Sequence, residues 1–180
     1  MKKIIYLYAA IVLAGFAIGC KKFVDINSNP NAPVEVSAAS LLPPIQAGMA
    51  RGVWFDTRYI GQYAQMWGSN AANNVWDQEG YAPGADSNGE MWRTIYFSLG
   101  QNVTLMMDDA TKNNKPEFLG VAYALRAWGW QNGADIYNSL VLNEAYDASK
   151  LTFNYDSPQA VYAEVVKDCY LSIRYFKQAM

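Results

Sequence analysis

The sequence predicts an all-α protein built of helical hairpins. Three observations carry that expectation. Apolar residues recur every three or four positions through most of the chain beyond residue 40. Each such stretch is opened or closed by a capping residue, a proline or a glycine. No stretch shows the apolar–polar alternation that a half-buried strand requires, and Leu140-Val141-Leu142 is too short to carry a sheet. The totals agree: 180 residues, 52% hydrophobic and 17% charged, describe a globular chain of a single domain, at most two small ones.

The first segment stands apart from that architecture. Residues 1–19 run from Met1, Lys2 and Lys3 through an apolar stretch, Ile4 to Ile18, to Gly19. Positive charge, a short greasy run and a small residue before a cut point describe a secretory signal peptide. A membrane-spanning helix needs about 20 apolar residues; this run is shorter and is followed at once by Lys21 and Lys22. Ala17-Ile18-Gly19-Cys20 resembles a bacterial lipobox, with Ala17 in place of the usual leucine. The alternative is an ordinary cleaved signal that abuts a cysteine. The resemblance implies several acyl chains on Cys20, and two or more anchor a protein stably at ~0.8 kcal/mol per buried CH₂. Residues 20–36 then read as a lipidated N-terminus and tether. Asp25, Asn27 and Asn29 have the spacing that opens a calcium loop, but the glycine and distal glutamate of such a loop are missing, so asparagine turns are the plainer reading.

The helices follow from residue 37 to 180. Ser40 to Ala50 is the first, with Pro43 and Pro44 near its start. Asp56 or Thr57 is expected to cap a second, carrying Ile60, Ala64 and Trp67 on one face and stopping at Gly68. Residues 69–86, rich in Asn, Ala, Gly and Pro, form a loop. Ser87-x-x-Glu90 fits a capping box, and behind it Trp92, Tyr96, Leu99, Val103, Met106 and Ala110 keep a helical period. A turn at Asn113-Asn114-Lys115-Pro116 opens a helix from Glu117 to about Asn132, apolar nearly all round and hence buried between neighbours. Gly120 and Gly129 would let another backbone approach it closely. Ser157-Pro158 opens the last helix by a cap and a first-turn proline, with Val161, Val165, Cys169, Ile173 and Phe176 as its packed face. Cys169 is thus expected to be an inert buried thiol. That helix runs to Met180 without a glycine stop, so the architecture reads as incomplete at its C-terminus. Leu119-Gly120-x-x-Tyr123 matches a fragment of the tetratricopeptide pattern, without its leading Trp and closing Pro.

Composition also narrows function. A net charge of −2 gives no basic surface for nucleic acid. There is no histidine, so the commonest general acid–base residue and metal ligand are both missing. The two cysteines, Cys20 and Cys169, make no disulfide framework. Sugars stack their C–H faces on aromatic rings and offer hydroxyls to Asn, Asp, Glu or Arg. In "GSNAANNVWDQEGYAPGADSN", Trp76 and Tyr81 stand among Asn73, Asn74, Asp77, Gln78 and Glu79, a composition suited to a glycan site on a loop. The blander reading has Trp76 folded back under its loop as an apolar anchor. Trp54, Trp67, Trp92, Trp128 and Trp130 lie on helical faces and are expected in the core; Arg126, amid apolar neighbours, is expected in a buried ion pair. A glycoside hydrolase would need a carboxylate pair from Asp77/Glu79, Asp86/Glu90 or Asp108/Asp109. The last two are adjacent on a helix and point apart. No nucleophile elbow is present. A scaffold that binds a transporter and no sugar is the third class.

Four stretches taken together resemble the SusD/RagB family of Bacteroidota outer-membrane nutrient-binding lipoproteins, in its SusD-like subgroup. They are "CKKFVDINSNPNAP", "MWRTIYFSLGQNVTLMMDDA", "FLGVAYALRAWGWQNGADIYNSLVLNEA" and "FNYDSPQAVYAEVVKDCYLSI", in family order across nearly the whole chain after Cys20. Asp135-Ile136-Tyr137-Asn138 departs from the family's usual glycine-aspartate-x-proline turn, and family members are much longer. The resemblance implies an extracellular, lipid-anchored protein of the outer membrane with tetratricopeptide-like helices. It would lid a SusC-like TonB-dependent transporter and hand it glycans, or sometimes peptides, with no cofactor or metal.

Overall fold

A computed structural model of the chain describes residues 35–66, 68, 89–147 and 149–180. The chain divides into two units, Met1–Glu35 and Val36–Met180, and every helix described belongs to the second. The fold is all-α. Among the described residues the only pairing of extended backbone is an isolated antiparallel bridge between Leu140 and Asp156.

Helix α1 (Ala38–Tyr63) starts two residues earlier than the sequence suggests, because Ser37 caps it by accepting from the Ser40 N–H at 3.2 Å. It also merges the two helices expected on either side of residue 50. Pro43 and Pro44 sit inside it. They remove two N–H donors, but the carbonyls they orphan belong to Ala39 and Ser40, both exposed, where water can take their place. Neither Asp56 nor Thr57 caps a helix; the Thr57 hydroxyl bonds back to the Val53 carbonyl within the same helix. Ile60 and Ala64 are exposed, so the expected packed face lies elsewhere: Gly61 and Gln62 are buried instead. Trp67 lies outside the described residues.

Helix α2 (Gly89–Arg93), a π turn (Thr94–Leu99) and helix α3 (Gly100–Lys112) follow one another without a break. The reason for the π turn can be read from the burial pattern. Met91, Ile95, Leu99 and Val103, four residues apart, are all buried. At 3.6 residues per turn, each four-residue step rotates the stripe by about 40°. A wider turn with i→i+5 bonding takes that drift back, and the Gly100 N–H accordingly reaches the Ile95 carbonyl. From Val103 the spacing relaxes to Met106 and Ala110, ordinary α-helical positions.

Helix α4 (Pro116–Tyr137) and helix α5 (Pro158–Ala179) form the tightest hairpin. The turn before α4 and the cap before α5 are as the sequence predicts: Asn114 takes positive φ, Pro116 enters at the first turn, and the Ser157 hydroxyl accepts from the Ala160 N–H at 3.3 Å. Helix α4 runs five residues further than expected. Gly133 permits this, since a Cβ there would lie 2.7 Å from Ile95 and from Leu140 side chains. Gly120 and Gly129 are also close approaches, but to side chains, the Phe176 ring and Leu99, and not to the backbone the sequence suggests.

The packed face of α5 is rotated from the one expected. Val161, Val165, Asp168 and Ser172 are buried, whereas Cys169 is exposed and Ile173 half so. The steps of four, three and four keep a strict 3.6 period, which repeated steps of four do not. Polar bonds fix this register. Arg126 donates to both oxygens of the fully buried Asp168, at 2.7 and 2.5 Å, and reaches Glu164 at 3.2 Å. The Ser172 hydroxyl donates to the Gly120 carbonyl at 2.7 Å. Arg126 thus makes the buried ion pair the sequence predicts. Burial pushes the Asp168 carboxyl up, and the guanidinium beside it offsets part of that rise.

Two apolar clusters result. One joins α1, α3 and the start of α4 through Leu41, Ile45, Val103, Met106 and Leu119. The other joins α2, the π turn, the rest of α4 and the start of α5 through Met91, Ile95, Trp130, Leu140 and Val161, with Trp92, Tyr96, Trp128 and Tyr137 packed against it.

Candidate functional site

The second cluster is roofed by irregular backbone, residues 138–147 and 149–157, and the way this backbone is held builds a pocket. Helix α4 stops at Asn138, which takes φ 67°, a left-handed conformation that asparagine tolerates better than most residues. From there the backbone has no helical ladder, so its polar groups are satisfied partly by turns and the Leu140–Asp156 bridge and partly by side chains. Tyrosines from the helices do this. Tyr96 donates its hydroxyl to the Val141 carbonyl at 3.1 Å and accepts from the Val141 N–H at 2.9 Å. The Tyr137 hydroxyl accepts from the Trp92 N–H at 2.9 Å, tying the end of α4 to α2.

Tyr146 works in the opposite direction, from the segment into the helix. Its hydroxyl donates to the Ile95 carbonyl at 2.9 Å, the same oxygen that closes the π turn. The fit leaves no room for a side chain at Gly100: a Cβ there would lie 1.7 Å from the Tyr146 oxygen and 2.4 Å from the Ile95 oxygen. Tyr146 itself holds φ 67°, costly for a bulky residue. Burial pushes the Tyr96 hydroxyl up to about 12 and raises Tyr146 as well, so both remain neutral donors at physiological pH.

Carboxylates knit the outer part of the segment. Asp156 accepts from the Leu142 and Asn143 N–H groups, each at 2.9 Å, and these bonds hold its carboxyl below the usual range. Glu144 pairs with Lys150 at 2.5 Å and accepts from the Asn154 N–H at 2.8 Å; the lysine first, then the asparagine, brings it down to about 2. Asp147 accepts from the Ser149 N–H at 3.0 Å.

Trp92, Tyr96, Val141, Ala145, Tyr146 and Phe153 wall a pocket of about 290 Å³. Its rings form one cluster. Trp92 lies 4.6 Å from Tyr96 and edge-on to Tyr137 at 5.1 Å, while Tyr96 lies 6.4 Å from Tyr146. Tyr155, 63% exposed, extends the aromatic surface 6.4 Å from Trp92. The walls offer π faces and C–H groups; their hydroxyls are already spent on backbone.

The residues singled out from sequence for ligand binding, Trp76, Tyr81, Asn73, Asn74 and Asp77, lie outside the described residues, as does Cys20. Of the tryptophans expected in the core, Trp130 is buried and Trp92 and Trp128 are half-buried. Trp54 is 66% exposed: α1 turns that face outward once its two halves are one helix. Asp108 is exposed, whereas Asp109 accepts from the first N–H of α1, that of Ala38, at 2.8 Å, which lowers its carboxyl. The pair points apart, as the sequence predicts. The pocket's Tyr146 and Phe153 carried the same signal that marked Trp76 and Tyr81: aromatics embedded in a polar, non-helical stretch.

A family model for SusD-like proteins, described as starch-binding and associating with the outer membrane, matches residues 30–180, which include every described helix. No curated protein matches the chain.

Proposed function

The chain belongs to the SusD-like family, and we propose that it is an outer-membrane lipoprotein that binds glycans and delivers them to a SusC-like TonB-dependent transporter. In this reading residues 1–19 are removed as a signal peptide, Cys20 carries the acyl chains, and residues 20–36 tether the helical unit to the outer membrane at the cell surface. Trp76 and Tyr81 supply stacking surfaces in the 69–86 loop, with Asn73, Asn74 and Asp77 for sugar hydroxyls. The observation that carries the reading is the family match across the whole helical unit. An aromatic pocket roofed by a polar segment is in keeping with it, since saccharides need both kinds of surface.

The test is a calorimetric titration of the full chain with maltoheptaose, paired with a reducing-end assay on the same samples. Saturable binding with the oligosaccharide left intact is expected, with Trp76→Ala weakening it. Release of new reducing ends would replace the reading with hydrolysis, and an unchanged affinity in Trp76→Ala would remove the loop from the site. In cells, Cys20→Ser is expected to leave the membrane fraction; unaltered fractionation would refute the lipid anchor.

A further inference from the structure

We propose that the pocket under residues 138–157 is a saccharide subsite in its own right, taking one pyranose ring of a glycan by stacking. The inference rests on the glycan-binding reading above and places a contact point far along the chain from the 69–86 loop. Three observations carry it. The first is size. At about 290 Å³ the pocket stands at the lower end of ligand sites, which run roughly 300–1,000 Å³, so it suits one ring and not a chain.

The second is chemistry. The hydroxyls of Tyr96 and Tyr146 are bonded to the backbone of Val141 and Ile95, so the walls recognise C–H surface through aromatic faces. A pyranose presents such a surface on one face and hydroxyls around its edge. Polar side chains stand beside the walls in sequence: Glu144 precedes Ala145 and Asn154 follows Phe153, with Lys150 paired to Glu144. The Glu144 oxygens are taken by Lys150 and Asn154, but the Lys150 ammonium and the Asn154 amide oxygen keep hydrogen-bonding capacity for a ring's edge.

The third is cost. Protein interiors close-pack and leave few voids. Here a strained tyrosine, seated against a glycine that tolerates no Cβ, and a phenylalanine left 43% exposed wall an open volume. Strain of this kind persists where the surrounding structure over-determines it, commonly at ligand sites.

The test titrates the full chain with maltoheptaose and compares Ala145→Leu, which fills the pocket, with Phe153→Ala, which removes an exposed wall and leaves the core intact. Circular dichroism checks that both fold. Each is expected to weaken binding by about ten-fold, the scale of one stacking contact, and Phe153→Trp to restore it. Should the wild type bind while both pocket variants match it and Trp76→Ala alone loses affinity, the subsite is refuted and the glycan reading stands. Should the wild type show no binding, both fall. If Ala145→Leu abolishes uptake of benzyl alcohol but leaves maltoheptaose affinity untouched, the pocket takes apolar groups and the proposal is overturned.

Discussion

The two apolar clusters of this helical unit share helix α4 and the π turn and draw their other buried residues from different elements. Around Leu41, Ile45, Val103 and Met106 the side chains are aliphatic, have no polar atoms and interdigitate between regular helices. Around Trp92, Tyr96, Trp130 and Tyr137 they are large rigid rings, several with a polar tip. Rings pack at fixed angles and leave space between them. Their hydroxyls, in turn, can satisfy the backbone of a segment that is neither helix nor strand, as Tyr96 does for Val141. The difference teaches that one cluster serves stability and the other shape. The tyrosines make an irregular roof affordable, and the roof makes a pocket.

The comparison breaks most visibly at Gly100. Gly100→Ala must expel the Tyr146 hydroxyl or the π turn, and a loss of about 4 kcal/mol or more is expected by urea denaturation. In the aliphatic cluster, Met106→Ala removes a fully buried side chain and is expected to cost about 3 kcal/mol, with no change at the pocket. Tyr146→Phe keeps the ring and loses one hydrogen bond, about 1 kcal/mol, yet it is expected to loosen residues 138–157 in amide hydrogen exchange while the Met106 end keeps its protection.

The smallest effect is the dependence on pH. The depressed Glu144 carboxyl contributes stability that is present above its ordinary 4.5 and is lost as pH falls toward about 2. The raised Tyr96 hydroxyl contributes stability that is present below its ordinary 10.0 and is lost as pH rises through about 12. Near-ultraviolet circular dichroism of the aromatic cluster should therefore change at both extremes. A flat signal through the acid range would show that the roof does not depend on its carboxylates.

The same division explains what could be read from the sequence. Helix class, the Ser157-Pro158 start and the Arg126 ion pair were legible because each is local or follows a simple burial rule. The fusion of two helices across residues 50–57 was not, since Asp56 and Thr57 read as a cap by residue type whereas the backbone runs helical straight through them. The turn of α5 that exposes Cys169 depends on Arg126 and Gly120, more than forty positions away from Asp168 and Ser172, which no local period encodes. The pocket escaped for a related reason. Its walls come from positions 92, 96, 141, 145, 146 and 153, and the roof is placed by tyrosine hydroxyls whose partners are long-range backbone atoms.

The most direct measurement is affinity electrophoresis of the full chain through gels containing soluble starch, with Met106→Ala and Tyr146→Phe run beside the wild type. Retarded migration is predicted for the wild type and for Met106→Ala, and clearly weaker retardation for Tyr146→Phe despite its greater stability. Equal retardation of the two variants, or free migration of all three, would contradict the assignment of shape and binding to the aromatic end.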